Sequence, residues 1–237
     1  MKNIIKIKVF LIVLSCFLAS CGKQEIYSCD PEADLWVKSN LTEVRNMTRA
    51  DWLAISDDNL RRATFIAFTP DQKRALWVGK MEEVLKLDWT VQEVQHIKYI
   101  LEFIKVNPVI FANKSDFDDV AVDELDIVLY KWEEYAEEVL GWSGELLHNL
   151  VYTAQALNKN REIDSSFCVS ARLKRGNEQT PITLTYCSCN AVRDCKGNNP
   201  KTQCRDPWDL QTSCTPSDAG CGLFNNKSCK LLCHTPN

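Results

Sequence analysis

Several common signatures are missing from this 237-residue chain, and each absence closes a functional class. Three histidines, 8 Gly and 8 Pro leave little material for a glycine-rich active-site loop. No Gly-rich phosphate loop, Gly-x-Ser-x-Gly elbow or His-Glu-x-x-His helix occurs. The apolar run from Val9 to Ala19 is too short to span a bilayer. Basic residues are not in excess (28 Lys+Arg against 32 Asp+Glu, net −4), so nucleic acid is not an expected partner. At 45% apolar and 25% charged, the chain is neither disordered nor collagen-like. Cysteine is what it has in excess. Of 12 Cys, only Cys16, Cys21, Cys29 and Cys168 precede residue 187, and the last 51 residues hold the other eight.

The N-terminus reads as an export address. Lys2, Lys6 and Lys8 precede the short apolar run, the layout of a secretory signal. It ends in Leu18-Ala19-Ser20-Cys21-Gly22, which resembles a bacterial lipobox. That resemblance implies cleavage before Cys21 and acylation of its thiol. Two or more acyl chains make a stable anchor, so the expected membrane partner is reached through Cys21 alone. Gly22, in place of Asp, gives no inner-membrane retention signal, so the outer membrane or cell surface is the expected location. Loss of residues 1–20 leaves 25 basic against 32 acidic residues.

Residues 30–158 read as an acidic all-α body, joined to Cys21 by a linker over 21–29. Helices are expected over Pro31 to Met47, Arg49 to Ile55 and Ser56 to Phe68. Thr69-Pro70-Asp71-Gln72 and Thr90-Val91-Gln92-Glu93 are capping-box signatures, opening helices to Leu87 and Val106. Val94, Ile97, Leu101 and Ile104 place the second of these with one face inward. A long acidic helix is expected from Ser115 to Leu140, stopped by Gly141, and a last one from Ser143 to Leu157. Scarce Gly and frequent caps indicate a bundle of six or seven short helices.

Two Glu-x-x-His pairs, Glu93/His96 and Glu145/His148, have the spacing of a di-metal bundle. At 100° per residue, Glu145 and His148 fall off the stripe formed by Leu146, Leu150, Ala154 and Leu157. No metal is therefore expected there. Asp116, Asp118, Asp119 and Asp123 lack the Gly and closing Glu of a calcium loop and suit a helix N-terminus instead.

Residues 159–186 change texture. Phe167 to Leu173 and Ile182 to Tyr186 flank Arg175-Gly176-Asn177 and read as a β-hairpin. The segment 187–237 then holds Cys187, Cys189, Cys195, Cys204, Cys214, Cys221, Cys229 and Cys233. An even number of cysteines, export and few apolar residues between them indicate a small irregular module stapled by disulfides. The pairing is open among 105 connectivities. Cys187 and Cys189 are too close in sequence for a relaxed bridge to each other. Cys29 and Cys168 are left to link the start of the body to the hairpin. Zinc knuckles are absent, and no cofactor is expected.

The fold expected is thus mainly α: a helical bundle, a short hairpin and a disulfide-rich tail. Residues 30–158 carry 24 acidic and 13 basic side chains, whereas 159–237 carry 7 and 11. The plain expectation is an acidic solvated bundle beside an unrelated basic tail; the sharper one is electrostatic docking of the tail on the body.

Tyr186-Cys187-Ser188-Cys189-Asn190, Asp194-Cys195, Ser213-Cys214-Thr215-Pro216 and Gly220-Cys221-Gly222, with two closing cysteines, resemble the eight-cysteine bacteriocin fulvocin C and its related proteins. The resemblance spans residues 186 to about 233. It implies a bacteriocin-like module, displayed or released, that meets an anionic envelope surface or an envelope protein. The alternative is a non-toxic lipoprotein whose Cys-rich module is structural or binds a ligand. With no catalytic constellation in the sequence, an enzyme is not expected.

Overall fold

The computed structural model describes residues 25–28, 30–112, 119–164, 185–186, 195, 203–206, 214–215, 217–225 and 227–234. Within them the N-terminal region is helical and the C-terminal region is disulfide-bonded with three two-stranded sheets.

The helices are α1 (Pro31–Ser39), α2 (Leu41–Val44), α3 (Arg49–Leu53), α4 (Asp58–Ala67), α5 (Pro70–Val84), α6 (Val91–Val106), α7 (Asp119–Glu138) and α8 (Gly144–Leu147). A 3-10 turn, Pro108–Phe111, follows α6, and a π-helical turn, His148–Tyr152, follows α8. Their starts are set by side-chain caps. Thr48, Thr69 and Thr90 form reciprocal capping boxes with Asp51, Gln72 and Glu93, so two backbone donors are satisfied at each start. Asp30, Asp57 and Ser143 each accept from backbone N–H groups of α1, α4 and α8.

The helix expected from Pro31 to Met47 is broken at Asn40. Its side-chain amide donates to the Trp36 carbonyl at 2.7 Å, and its backbone leaves the helical region. A short amide side chain competes here for a carbonyl the next turn needs. Ala33 and Val37 are the buried residues of α1, while Leu35 is 66% exposed. The acidic helix is described from Asp119, and residues 113–118 lie outside the described residues.

The last helix ends at Tyr152, well short of Leu157, because it widens into a π turn. That widening rephases its faces. Leu147, Leu150 and Val151 are buried, and so is His148, which a straight 100° count places off the stripe. Beyond it the chain reverses, with Leu157 bridged to Ile163.

In the tail, β1 (Thr185–Tyr186) pairs in parallel with β3 (Cys214–Thr215). β2 (Gln203–Arg205) pairs antiparallel with β6 (Leu232–His234). β4 (Ser217–Cys221) pairs antiparallel with β5 (Lys227–Cys229) around a 3-10 turn, Leu223–Asn225. The rest of the expected hairpin, at 167–184, lies outside the described residues.

The core runs through α4, α5, α6, the 3-10 turn after α6, α7 and the π turn. It includes Phe65, Trp77, Met81, Ile97, Ile100, Ile104, Phe111, Trp132, Leu150 and Val151, and also Phe224 from the tail.

Candidate functional site

The site best defined by geometry is where the tail meets the helical body. Its floor is Trp77, which the capped start of α5 carries inward, and Phe111 of the 3-10 turn. One wall is the π turn. Within and just beyond this turn, carbonyls lack regular helical partners, and fully buried Lys80 and half-buried Arg49 take them up. Lys80, on α5, donates from Nζ to the carbonyls of Asn149 and Thr153. Arg49 donates to the Ala154 carbonyl at 2.6 Å while its guanidinium forks onto Glu83 at 3.0 and 2.7 Å. Burial, reinforced by the Arg49 charge, holds Lys80 well below the usual lysine value. Tyr152 donates from its hydroxyl to Glu133 at 2.8 Å.

Into this frame goes the turn between β4 and β5. Phe224 is 0% exposed, edge-on to Trp77 at 5.2 Å between ring centroids and 6.1 Å from Phe111. Asn225 donates from its side-chain amide to the Tyr152 carbonyl at 2.9 Å. Lys227 is paired with Asp126 of α7. Arg62 of α4 lies 3.2 Å from the Cys229 sulfur. The Trp77 indole N–H, also fully buried, has no hydrogen-bond acceptor among the described residues.

The backbone of this turn is unusual. Phe224 and Asn225 both have left-handed dihedrals, φ 57° and 55°. Asn tolerates that region; for Phe it costs about 1–2 kcal/mol. Gly220 and Gly222 flank Cys221 with φ 114° and 70°. A Cβ on Gly222 would come within 2.3 Å of the Lys227 side chain, so that glycine is sterically required. The Gly-Cys-Gly step thus shapes the loop that Cys221–Cys229 closes.

The cysteine expectations divide. Cys195 is bonded to Cys233 and Cys221 to Cys229, and Cys204 is disulfide-bonded too. Cys214 is placed in β3 by its backbone. Cys21, Cys29, Cys168, Cys187 and Cys189 lie outside the described residues. The Sγ atoms of Cys195, Cys204 and Cys233 lie within 4.8 Å of one another, a spacing a thiophilic metal would accept. Here Cys195 and Cys233 are spent on each other.

The two Glu-x-x-His pairs do not converge into a ligating group among the described residues. Glu93 accepts from the Thr90 backbone N–H at 2.8 Å and the Trp142 indole at 2.9 Å. Burial works to raise its carboxyl, but those bonds and nearby Arg161 outweigh burial and hold it below the ordinary value. His96 is stacked on Trp132, centroids 4.6 Å apart, and its Nε2 faces the Trp132 carbonyl at 3.0 Å. A nitrogen that donates to a carbonyl cannot also ligate. Burial pushes His96 down, and the carbonyl bond only partly offsets this.

No family model, curated protein or solved structure matches this chain.

Phe224 is not among the expected core residues. Few apolar side chains are expected between the tail cysteines, and the tail is expected either to be unrelated to the acidic body or to dock on it by charge. Among the described residues, Lys227–Asp126 is the ion pair that joins tail to body, and the buried ring beside it contributes far more. The available signal was Leu223-Phe224, a large apolar pair inside a short cysteine loop.

Proposed function

We propose that the chain is a non-enzymatic cell-envelope lipoprotein, anchored through acylated Cys21, whose Cys-rich segment is a built-in structural part of the helical body. The observation that carries this reading is the burial of Phe224 between Trp77 and Phe111. A detachable peptide that left this contact would expose a Phe and open a cavity in the body it came from. Asn225 and Lys227 add polar contacts to the π turn and α7 on either side. The lipobox resemblance supports the anchor. No helix among the described residues is long and apolar enough to cross a membrane.

The resemblance of residues 186 to about 233 to fulvocin C favours a second reading, in which the tail is cut free and acts on other cells. One experiment separates them. Intact masses are measured from membranes and culture supernatant, with and without reduction and alkylation. A full-length acylated species, with its cysteines alkylated only after reduction, is expected. An oxidised fragment in the supernatant that begins between Gly176 and Cys187 would overturn the structural reading. Cys21→Ser is expected to move the protein out of the membrane fraction; continued membrane partition would refute the anchor.

A further inference from the structure

Three sulfurs gather where β2 and β6 pair. Cys204 and Cys233 are directly opposite in that antiparallel register. Cys195, bonded to Cys233, comes in from an earlier segment and places its sulfur 3.8 Å from that of Cys204. Accessibility is graded across the group: Cys195 is buried, Cys204 half-buried and Cys233 exposed. The neighbouring Cys221–Cys229 bond is buried at both ends, under the docked turn. Exchange at a disulfide depends on which sulfur an incoming thiolate can reach and on what can capture the leaving sulfur. By both criteria the two bonds differ.

We propose that Cys233 is a thiol-exchange site for a small-molecule or cysteinyl thiol, with buried Cys195 relaying the exchange to half-buried Cys204. The external thiolate attacks the Cys233 sulfur. A mixed disulfide forms there as the Cys195–Cys233 bond breaks, and the electron pair leaves on Cys195. The Cys195 thiolate then attacks the Cys204 sulfur. A Cys195–Cys204 bond forms, and the former partner of Cys204 leaves as a thiolate that takes a proton from water. One thiolate enters and one leaves, so neither an oxidant nor a reductant is consumed. This inference does not depend on whether the tail is retained or released.

The test treats the oxidised full chain with reduced glutathione at mildly alkaline pH, quenches with acid and maps disulfides by mass without reduction. Glutathione is expected on Cys233, together with a Cys195–Cys204 cross-link. Cys195–Cys233 should open at least about tenfold faster than Cys221–Cys229, because access controls the rate. In a Cys204→Ser chain the adduct should stay on Cys233, but Cys195 should now be alkylated by iodoacetamide. Equal opening of the two bonds would refute the proposal, as would an adduct on Cys195 or alkylation of Cys195 in the unsubstituted chain. If Cys204→Ser does not fold, the time course of the unsubstituted chain decides alone.

Discussion

Replacing Phe224 with Ala tests whether tail and body are one cooperative unit. A buried Phe withdraws about 200 Å² from water. At about 25 cal/mol per Å² this is about 5 kcal/mol, of which the retained Cβ accounts for a small part. The ring is fully buried and meets two aromatic partners, so a loss of about 4 kcal/mol is expected on truncation. For a chain of this size, that loss lowers Tm by roughly 8–16 °C. The assay is thermal unfolding followed by far-UV circular dichroism, which reports chiefly on the helices, with disulfides intact. The left-handed backbone at Phe224 adds a second discriminator. Ala retains that strain and Gly relieves it, so Phe224→Gly should be no less stable than Phe224→Ala, the reverse of the usual order. A helical transition that moves by less than roughly 2 °C in Phe224→Ala would refute the reasoning, because the ring would then contribute nothing to the body.

Three further outcomes follow from the charges. Asp126→Asn should cost less than about 1 kcal/mol, because its pair with Lys227 is partly exposed, and the cost should fade at high salt; a larger, salt-insensitive loss in denaturant titrations would contradict this. His96 should titrate below its ordinary value by NMR. Its folded value is depressed, so the unfolded chain binds the extra proton. The stability it contributes is present above about pH 6.5 and is lost as pH falls through the folded value. His96→Gln should flatten that acid-side loss, and an NMR midpoint at or above the ordinary value would refute the assignment. Lys80 is depressed in the same sense. Its contribution rises with pH up to the ordinary lysine value of about 10.4, and Lys80→Met should flatten the rise in denaturant titrations across that alkaline range; an unchanged slope would show that Lys80 titrates normally.

Local structure was legible in the order of the residues. Thr69 with Gln72 and Thr90 with Glu93 mark helix starts to the residue, because a cap depends on neighbours three positions apart. The inward stripe of α6 follows from its period. The mainly helical body and the disulfide-bonded tail were legible for the same reason, since composition and spacing are local quantities. Asn40 also acts locally, ending α1 through a side-chain bond to the carbonyl four residues back. The rest depends on contacts distant in sequence. The π turn at His148–Tyr152 rephases a face that uniform periodicity extends straight; its Asn149 carbonyl depends on Lys80, 69 residues away, and the Ala154 carbonyl just beyond it on Arg49, 105 residues away. Above all, a single ring from a cysteine loop completes the core of a helical bundle. Phe224 meets Trp77 and Phe111 only after the chain has returned across more than a hundred residues. Burial of that kind depends on what surrounds a side chain in space, which no local pattern encodes.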